Sequence, residues 1–196
     1  MRLSLFAAAL ALCAVSLAAH ANPVQYTLSG TMSGTLGANT FTDAAVTFTF
    51  LGDTANTNAI GAGNYTNTLG IGTVSINGLG TATFSSSTFG VLGTVEAAGF
   101  SDSGTGFNVG ILDFGLADYD LTAPFTDVGY FVNGFLGVTP AEATSLGDLI
   151  INNGDFMNPT TTFSAAAVSA VPEPASFMLL GTGLMSLIGA ARRRLA

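Results

Sequence analysis

Apolar and polar residues alternate with a period of two through the middle of the chain. In residues 40–51, the apolar side chains Val46, Phe48 and Phe50 are separated by threonines, and residues 107–111 show the same spacing. Successive side chains of a β-strand point to opposite faces of the sheet, so this pattern predicts strands with one apolar and one polar face. The same region has no convincing amphipathic helical period. The pattern therefore predicts an all-β domain.

Turn-forming residues divide the alternating segments into short pieces. Asn77-Gly78 and Asn133-Gly134 each lie between two apolar runs. Both dipeptides suit the type I′ turn of a β-hairpin, in which both central residues have positive φ. A short helical turn is expected near residues 140–146, with Thr139 as its N-cap. Residues 160–168 are either a last strand or the start of a linker. Many short strands with such turns predict an antiparallel β-sandwich or jelly-roll-like domain.

The first residues have the layout of a cleavable export signal. Arg2 precedes an apolar run over residues 3–17, and an A-x-A site formed by Ala19 and Ala21 follows it. A positive start, an apolar core and small residues at the cleavage site are what the export translocon and signal peptidase recognise. We therefore predict a helical signal peptide over residues 1–21, cleaved after Ala21, ahead of an extracytoplasmic β domain over residues 22–168.

Residues 169–196 are predicted to form a membrane-anchored tail. It contains a glutamate between two prolines, an uncharged run over residues 175–191 and a basic cluster. The triplet is Pro172, Glu173 and Pro174, and the cluster is Arg192, Arg193 and Arg194. As a helix, the uncharged run would rise about 25 Å, the lower limit for crossing a bilayer. Arginines after a transmembrane helix hold that end in the cytoplasm, and the two prolines keep the triplet extended. The tail would hold the exported domain at the inner membrane.

This tail resembles the PEP-CTERM sorting signal of exported proteins in Gram-negative bacteria. That signal has a Pro-Glu-Pro triplet, a short glycine-containing hydrophobic helix and a terminal basic cluster. The resemblance covers the tail alone. It implies processing by an exosortase, an integral-membrane cysteine transpeptidase-like enzyme, followed by release to the cell surface or the extracellular matrix. Such proteins are associated with exopolysaccharide and biofilm systems. The alternative is a plain C-terminal anchor that stays uncut.

The charge distribution excludes several kinds of catalytic site and binding partner for the domain. The formal net charge is −8 at pH 7, and every Lys and Arg lies in one of the two terminal segments. Between Asn22 and Val171 there is no Lys, Arg or His, and the only cysteine is Cys13. The domain therefore lacks the groups for a histidine-dependent triad, a cysteine nucleophile or a Cys/His zinc site. It also cannot neutralise phosphates, which argues against nucleic acid as a partner. We expect neither enzymatic activity nor a bound cofactor.

Two sets of polar residues are candidates for binding. Asp113, Asp118 and Asp120 form the densest acidic group, and carboxylate oxygens are ligands that Ca²⁺ prefers. The alternative is that these aspartates are solvated loop residues. The other set comprises threonine pairs with one residue between them, at 40/42, 47/49, 81/83 and 160/162. Stacked on adjacent strands, such pairs would form a flat hydroxyl face that could bind ice, although threonine also suits any solvent-facing strand.

A hydrolase would need a pair of carboxyl groups, for which Glu96 and Glu142 are the only glutamates in the domain.

The leading hypothesis is a non-enzymatic secreted or surface protein that an exosortase sorts and that associates with the exopolysaccharide or biofilm matrix. The alternative is a carbohydrate- or Ca²⁺-binding adhesion module. A minor hydrolase is the third reading.

Overall fold

The structure is a computed structural model that describes residues 22–113, 119–133, 139–154 and 160–168. These residues form an all-β fold, as the alternating pattern predicts. The strands are, in chain order, β1 (Pro23–Leu36), β2 (Asn39–Asp53), β3 (Asn58–Gly61), β4 (Asn64–Asn67), β5 (Ile71–Ile76), β6 (Gly80–Thr83), β7 (Phe89–Thr94), β8 (Ala97–Asp102), β9 (Asn108–Leu112), β10 (Phe125–Asn133), β11 (Glu142–Thr144), β12 (Gly147–Gly154) and β13 (Thr161–Ala167). Within the described ranges, the one helical element is a 3₁₀ turn at Thr54–Asn56.

The strands pair antiparallel in the order β3-β4-β7-β8-β9-β10-β13-β1-β2-β5-β6, and β12 pairs with both β1 and β11. We call β1, β2, β5, β6, β11, β12 and β13 sheet I, and β3, β4, β7, β8 and β9 sheet II. Strand β10 joins the two, because its first part pairs with β13 and its last part pairs with β9. One further bridge, between Phe84 and Thr144, connects the end of β6 to β11.

Phenylalanine side chains fill the space between the two sheets. Phe48 of β2 lies 5.8 Å, centroid to centroid, from Phe100 of β8, and Phe100 lies 6.4 Å from Phe163 of β13. Phe84, directly after β6, stacks on Phe89 of β7 at 3.8 Å. These rings are almost fully buried, and each removes a large apolar area from water. The packing of two sheets over such a core gives the sandwich-like arrangement that the sequence predicts.

The predicted strand in residues 40–51 is confirmed as part of β2. Val46, Phe48 and Phe50 are buried, whereas the threonines between them are partly exposed. Residues 160–168 form a strand rather than the start of a linker, since β13 pairs with both β1 and β10.

The type I′ turn predicted at Asn77-Gly78 is wrong in type, although the hairpin is present. Within the described residues, positive φ outside glycine occurs at Asp43, Glu96 and Leu121, so Asn77 has negative φ. Gly78 alone supplies the positive φ of the turn, which Leu79 closes by donating its N–H to the carbonyl of Ile76 at 3.0 Å. The hairpin loop is residues 77–79, one residue longer than a two-residue turn. The positive φ of Gly80 accommodates the extra residue. The turn predicted at Asn133-Gly134 is only partly described, since Asn133 ends β10 and Gly134 lies outside the described ranges.

The helical turn predicted near residues 140–146 is also wrong. Within this segment, Glu142–Thr144 form the strand β11, which pairs with β12. Thr139 does not cap a helix, because its hydroxyl accepts the N–H of Ile151 at 2.9 Å while its own N–H is donated to the carbonyl of Ile151. Pairing with β12 satisfies this backbone better than a single helical turn would.

The strand register defines two poles of the domain. At the tail pole, Val168 donates its N–H to the carbonyl of Pro23 at 2.9 Å, and Asp53 ends β2 opposite Pro23. The chain enters and leaves the domain here, because β1 and β13 are antiparallel neighbours. The far pole holds the turns at residues 37–38 and 77–78 and the loop at residues 103–107.

Candidate functional site

The predicted cleavage and sorting residues lie outside the described residues. These are Ala19, Ala21, Pro172, Glu173, Pro174, Arg192, Arg193 and Arg194. The structure describes instead the two points of the domain from which these segments continue. Thr54 donates its N–H to the carbonyl of Asn22 at 3.1 Å, and the N–H of Asn22 faces Oδ1 of Asp53 at 3.3 Å. A surface cavity of about 410 Å³ lies here, lined in part by Thr122, Pro124 and Val168.

The outer side of sheet I carries two parallel rows of hydroxyl side chains, which we call the hydroxyl face. Each row crosses neighbouring strands through directly paired residues. The first row is Thr126, Ser164, Thr27, Thr49, Thr73 and Thr83, and the second is Thr162, Ser29, Thr47, Ser75 and Thr81. None of these residues is buried, and none carries a charge. The alternate residues of the same strands, such as Leu28 and Phe48, point into the core.

The hydroxyl face has the regular spacing of the sheet itself. Neighbouring strands lie about 4.8 Å apart and alternate residues of a strand about 6.7 Å apart, so the hydroxyl groups form a regular lattice that follows the twist of the sheet. One hydrogen bond within the lattice runs from Oγ1 of Thr81 to Oγ of Ser75, at 3.2 Å. Two of the predicted threonine pairs, 47/49 and 81/83, are part of this lattice, whereas Thr40 and Thr42 lie beyond it, toward the far pole.

The predicted Ca²⁺ ligands Asp113, Asp118 and Asp120 are only partly described, since Asp118 lies outside the described ranges. Oδ1 of Asp120 accepts two hydrogen bonds from Thr122, one from the N–H at 3.0 Å and one from the hydroxyl at 2.7 Å. Asp113 hydrogen-bonds with Asp127 of β10, and burial together with this contact raises the pKa of Asp127. No three acidic, histidine or cysteine side chains among the described residues are grouped so that they could hold a metal. The Ca²⁺ site stays a prediction.

A pair of buried carboxyl groups, which the sequence did not indicate, lies at the far pole. Asp102 ends β8 in sheet II and is 1% exposed, and Glu142 begins β11 in sheet I and is 0% exposed. Oδ1 of Asp102 accepts the hydroxyl of Thr88 at 2.5 Å and the N–H of Gly104 at 2.6 Å. Oε2 of Glu142 accepts the hydroxyl of Thr105 at 2.6 Å.

The remaining two oxygens of this pair, Oδ2 of Asp102 and Oε1 of Glu142, are buried and receive no hydrogen bond from a donor of the described residues. The two side chains are within hydrogen-bonding reach of each other. Burial raises the pKa of Glu142, and the negative charges of Asp102 and Asp148 raise it further. Burial alone would raise the pKa of Asp102 too, but hydrogen bonds from Ser86, Thr88 and Gly104 outweigh it, so that this pKa is lowered.

Two carboxyl groups with separated pKa values are also the mark of an acid–base pair in an enzyme. Here both groups are closed off from solvent, so a polymeric substrate has no path to them in this structure. Glu96, the other glutamate considered for hydrolysis, lies in the turn before β8, at the opposite end of that strand from Asp102. The geometry therefore does not bring Glu96 and Glu142 together.

The family model of the PEP-CTERM protein-sorting motif matches residues 170–194. The chain thus carries the sorting signal that its C-terminal residues resemble, which marks an exported, exosortase-sorted protein with a membrane-anchored tail. Comparisons with curated proteins and with solved structures find no match. In the described part of the chain, no helix has the length and hydropathy needed to cross a membrane.

Proposed function

We propose that this chain is a non-enzymatic exported protein that an exosortase releases from the inner membrane and that then binds neutral polysaccharide of the extracellular matrix. The observation that carries the proposal is the sorting motif over residues 170–194. The domain attached to it contains no basic side chain. It can therefore bind a partner only through its own neutral or acidic groups.

The hydroxyl face is the part of the domain that suits such a partner. Polysaccharides present many hydroxyl groups, each of which can donate or accept a hydrogen bond. A single exposed hydroxyl gains little from such a bond, because water competes for it. An array held rigid by the sheet meets many partners at once without further ordering, and this makes the sum of small gains useful. An uncharged face on an acidic domain also avoids repulsion from the acidic groups of other matrix components.

The test is a fractionation of the producing cells together with two sets of variants. In the parent, we expect the protein in the extracellular matrix fraction, and we expect enzymatic removal of the polysaccharide to free it. Replacing Pro172, Glu173 and Pro174 by alanines should retain the protein in the inner membrane, because the apolar run remains while the recognition triplet is lost. Efficient release of this variant would refute exosortase sorting.

Binding is tested with Thr49→Val and Thr73→Val combined, which removes two paired hydroxyls at the centre of the lattice while keeping their shape. We expect the variant to be released normally but to bind the purified matrix polysaccharide several-fold more weakly. The matched control is Thr40→Val with Thr42→Val, which removes two exposed hydroxyls from β2 at positions beyond the lattice. Equal retention of the two variants would refute the hydroxyl face as the binding surface.

The same experiment separates the other candidates. If chelation of Ca²⁺ frees the protein from the matrix, and Asp118→Asn with Asp120→Asn does the same, the Ca²⁺-dependent adhesion module is the correct function. If the parent inhibits ice recrystallisation and the Thr49/Thr73 variant does not, the hydroxyl face binds ice rather than polysaccharide.

A further inference from the structure

Asp102 and Glu142 connect the two sheets at the far pole. Asp102 is the last residue of β8, beyond the pair formed by Ser101 and Asn108. Glu142 pairs with Leu149 of β12, which in turn pairs with Leu36 at the far end of β1. The contact between the two carboxyl groups, together with the hydrogen bond from Thr105 to Glu142, therefore joins sheet II to sheet I where no strand continues from one to the other.

Asp102 and Glu142 cannot both be ionised in this buried contact. Each would lose its hydration on burial, and the two charges would repel each other at short range in a medium of low polarity. Elsewhere a lysine, arginine or histidine relieves such a pair, but residues 22–171 contain none of the three. The positive charge that balances the pair must therefore come from the solvent.

A proton fits the geometry better than a metal ion does. Oδ1 of Asp102 and Oε2 of Glu142 are already occupied by hydroxyl and N–H donors, which leaves one inner oxygen on each side chain. Two facing oxygens suit one hydrogen atom between them, whereas Ca²⁺ takes six to eight oxygen ligands. The donors to Asp102 outnumber those to Glu142, so Asp102 is the carboxylate and Glu142 holds the hydrogen.

We propose that Asp102 and Glu142 form a buried proton-binding site, and that one shared proton fastens sheet I to sheet II at the far pole. The proton lies between Oε1 of Glu142 and Oδ2 of Asp102. When it leaves, two adjacent charges remain, and the loop at residues 103–107 separates from β11.

The direction of the pH dependence follows from the two groups. The pKa of Glu142 is raised in the folded protein, so its contribution to stability is complete below the ordinary value of 4.5 and is lost as the pH rises through the raised value. The pKa of Asp102 is lowered, so its contribution is present above the ordinary value of 3.8 and is lost as the pH falls below it. The contact is strongest between these limits, in mildly acidic solution. Asp148 is the other acidic group that acts on Glu142, and its charge favours the same protonated state.

The test measures proton release on thermal unfolding of the protein purified from the cells that export it. Melting temperatures and enthalpies from about pH 5 to about pH 8 give the number of protons released on unfolding. Glu142→Gln replaces the shared proton by an amide N–H that does not titrate. Where Glu142 is protonated in the folded state and ionised in the unfolded state, we expect this variant to release about one proton fewer than the parent. Asp43→Asn removes an exposed carboxylate with the same charge change and is the matched control.

Three results would overturn the proposal. The first is an equal proton release from the parent and Glu142→Gln. The second uses Thr105→Val, which changes an exposed side chain, removes a donor that favours ionised Glu142 and also removes the acceptor of the Phe107 N–H. It should move the loss of stability to higher pH, and no such movement would contradict the shared proton. The third is a rise in melting temperature with Ca²⁺ at about pH 8 in the parent but not in Glu142→Gln, which would assign the site to a metal ion.

Discussion

At the scale of single residues, the hydroxyl of Tyr26 supports an uncommon backbone conformation. It donates a hydrogen bond to the carbonyl of Leu121 at 2.6 Å, and both residues are fully buried. Leu121 has a φ of 64°, which residues other than glycine and asparagine rarely adopt. Burial raises the pKa of Tyr26, although hydrogen bonds with Asn67 and Thr57 oppose the shift. The hydroxyl therefore stays a donor at all physiological pH values and holds the segment after Asp120 against β1.

Tyr26→Phe should destabilise the domain by about 1–2 kcal/mol, because the carbonyl of Leu121 is left buried without its donor. Chemical denaturation of the parent and the variant measures the difference. Tyr130→Phe is the matched control, since Tyr130 is 40% exposed, and a change at such a site is expected to stay within about 0.5 kcal/mol. Equal stabilities for Tyr26→Phe and the parent would show that the hydroxyl does not support this segment.

The buried pair at the far pole could not have been predicted from local sequence. Asp102 and Glu142 come from distant parts of the chain, and neither is part of a motif. One global signal was available, because a domain without basic residues must protonate any carboxyl groups that it buries together. Which carboxyl groups meet depends on the packing of β8 against β11, and no periodic pattern encodes that packing.

At the scale of elements, glycine sets how closely strands approach each other. Gly99 of β8 and Gly110 of β9 are directly paired. A Cβ on Gly99 would lie 2.2 Å from the carbonyl oxygen of Val109 and 2.5 Å from Cα of Gly110. Both contacts are with backbone atoms, which a rotamer change cannot relieve. The close approach of β8 and β9 thus requires glycine for its size rather than for its conformational freedom.

Gly99→Ala should destabilise the domain by about 2 kcal/mol or more, because the strands must separate to admit the methyl group. Gly61→Ala in β3 is the control, since its Cβ would meet only the side chain of Asn64, the nearest atom being Nδ2 at 3.4 Å. The control is expected to be neutral or slightly stabilising, as alanine reduces the freedom of the unfolded chain. Melting temperatures of the two variants give the comparison, and similar values would contradict the close-packing argument.

The strands themselves were largely predictable, but the role of glycine within them was not. In β2, burial of alternate residues gives a period of two that can be read directly. The frequent glycines suggested turns, and Gly78 confirms that reading. Yet Gly72 and Gly90 lie inside strands, where a Cβ would press on Phe89 and on the carbonyl of Asn67 respectively. Turn and close-packing glycines look alike in a sequence, because the difference lies in what faces them.

At the scale of the whole molecule, export and sorting were predictable from the sequence, because short linear segments carry those signals. The hydroxyl face was predictable only in part, since the threonine pairs are visible in the chain but their alignment depends on strand register. The remaining members of the two rows belong to no Thr-x-Thr pair; they are Thr27, Ser29, Thr73, Ser75, Thr126 and Ser164.

The mass of the protein recovered outside the cell tests the two predicted cleavages together. We expect a chain that begins at Asn22 and ends near Pro174, with no basic side chain left, because Arg2 and the three C-terminal arginines are removed. Intact-mass spectrometry of the released and membrane fractions makes the comparison. An arginine-containing C-terminal peptide in the released protein would contradict removal of the tail.

Because Pro23 and Val168 are adjacent, the domain is suited to circular permutation. Since the two points of entry and exit are joined by a backbone hydrogen bond, a linker of a few residues could connect them without bending either strand. New termini could then open in the turn at Gly78, where nothing lies within 4 Å of an added Cβ. Such circular permutants are tolerated when the old termini are close and the new ones are exposed. A permuted domain would carry its sorting tail at the far pole, so that the second hydroxyl row rather than the first would lie nearer the tail.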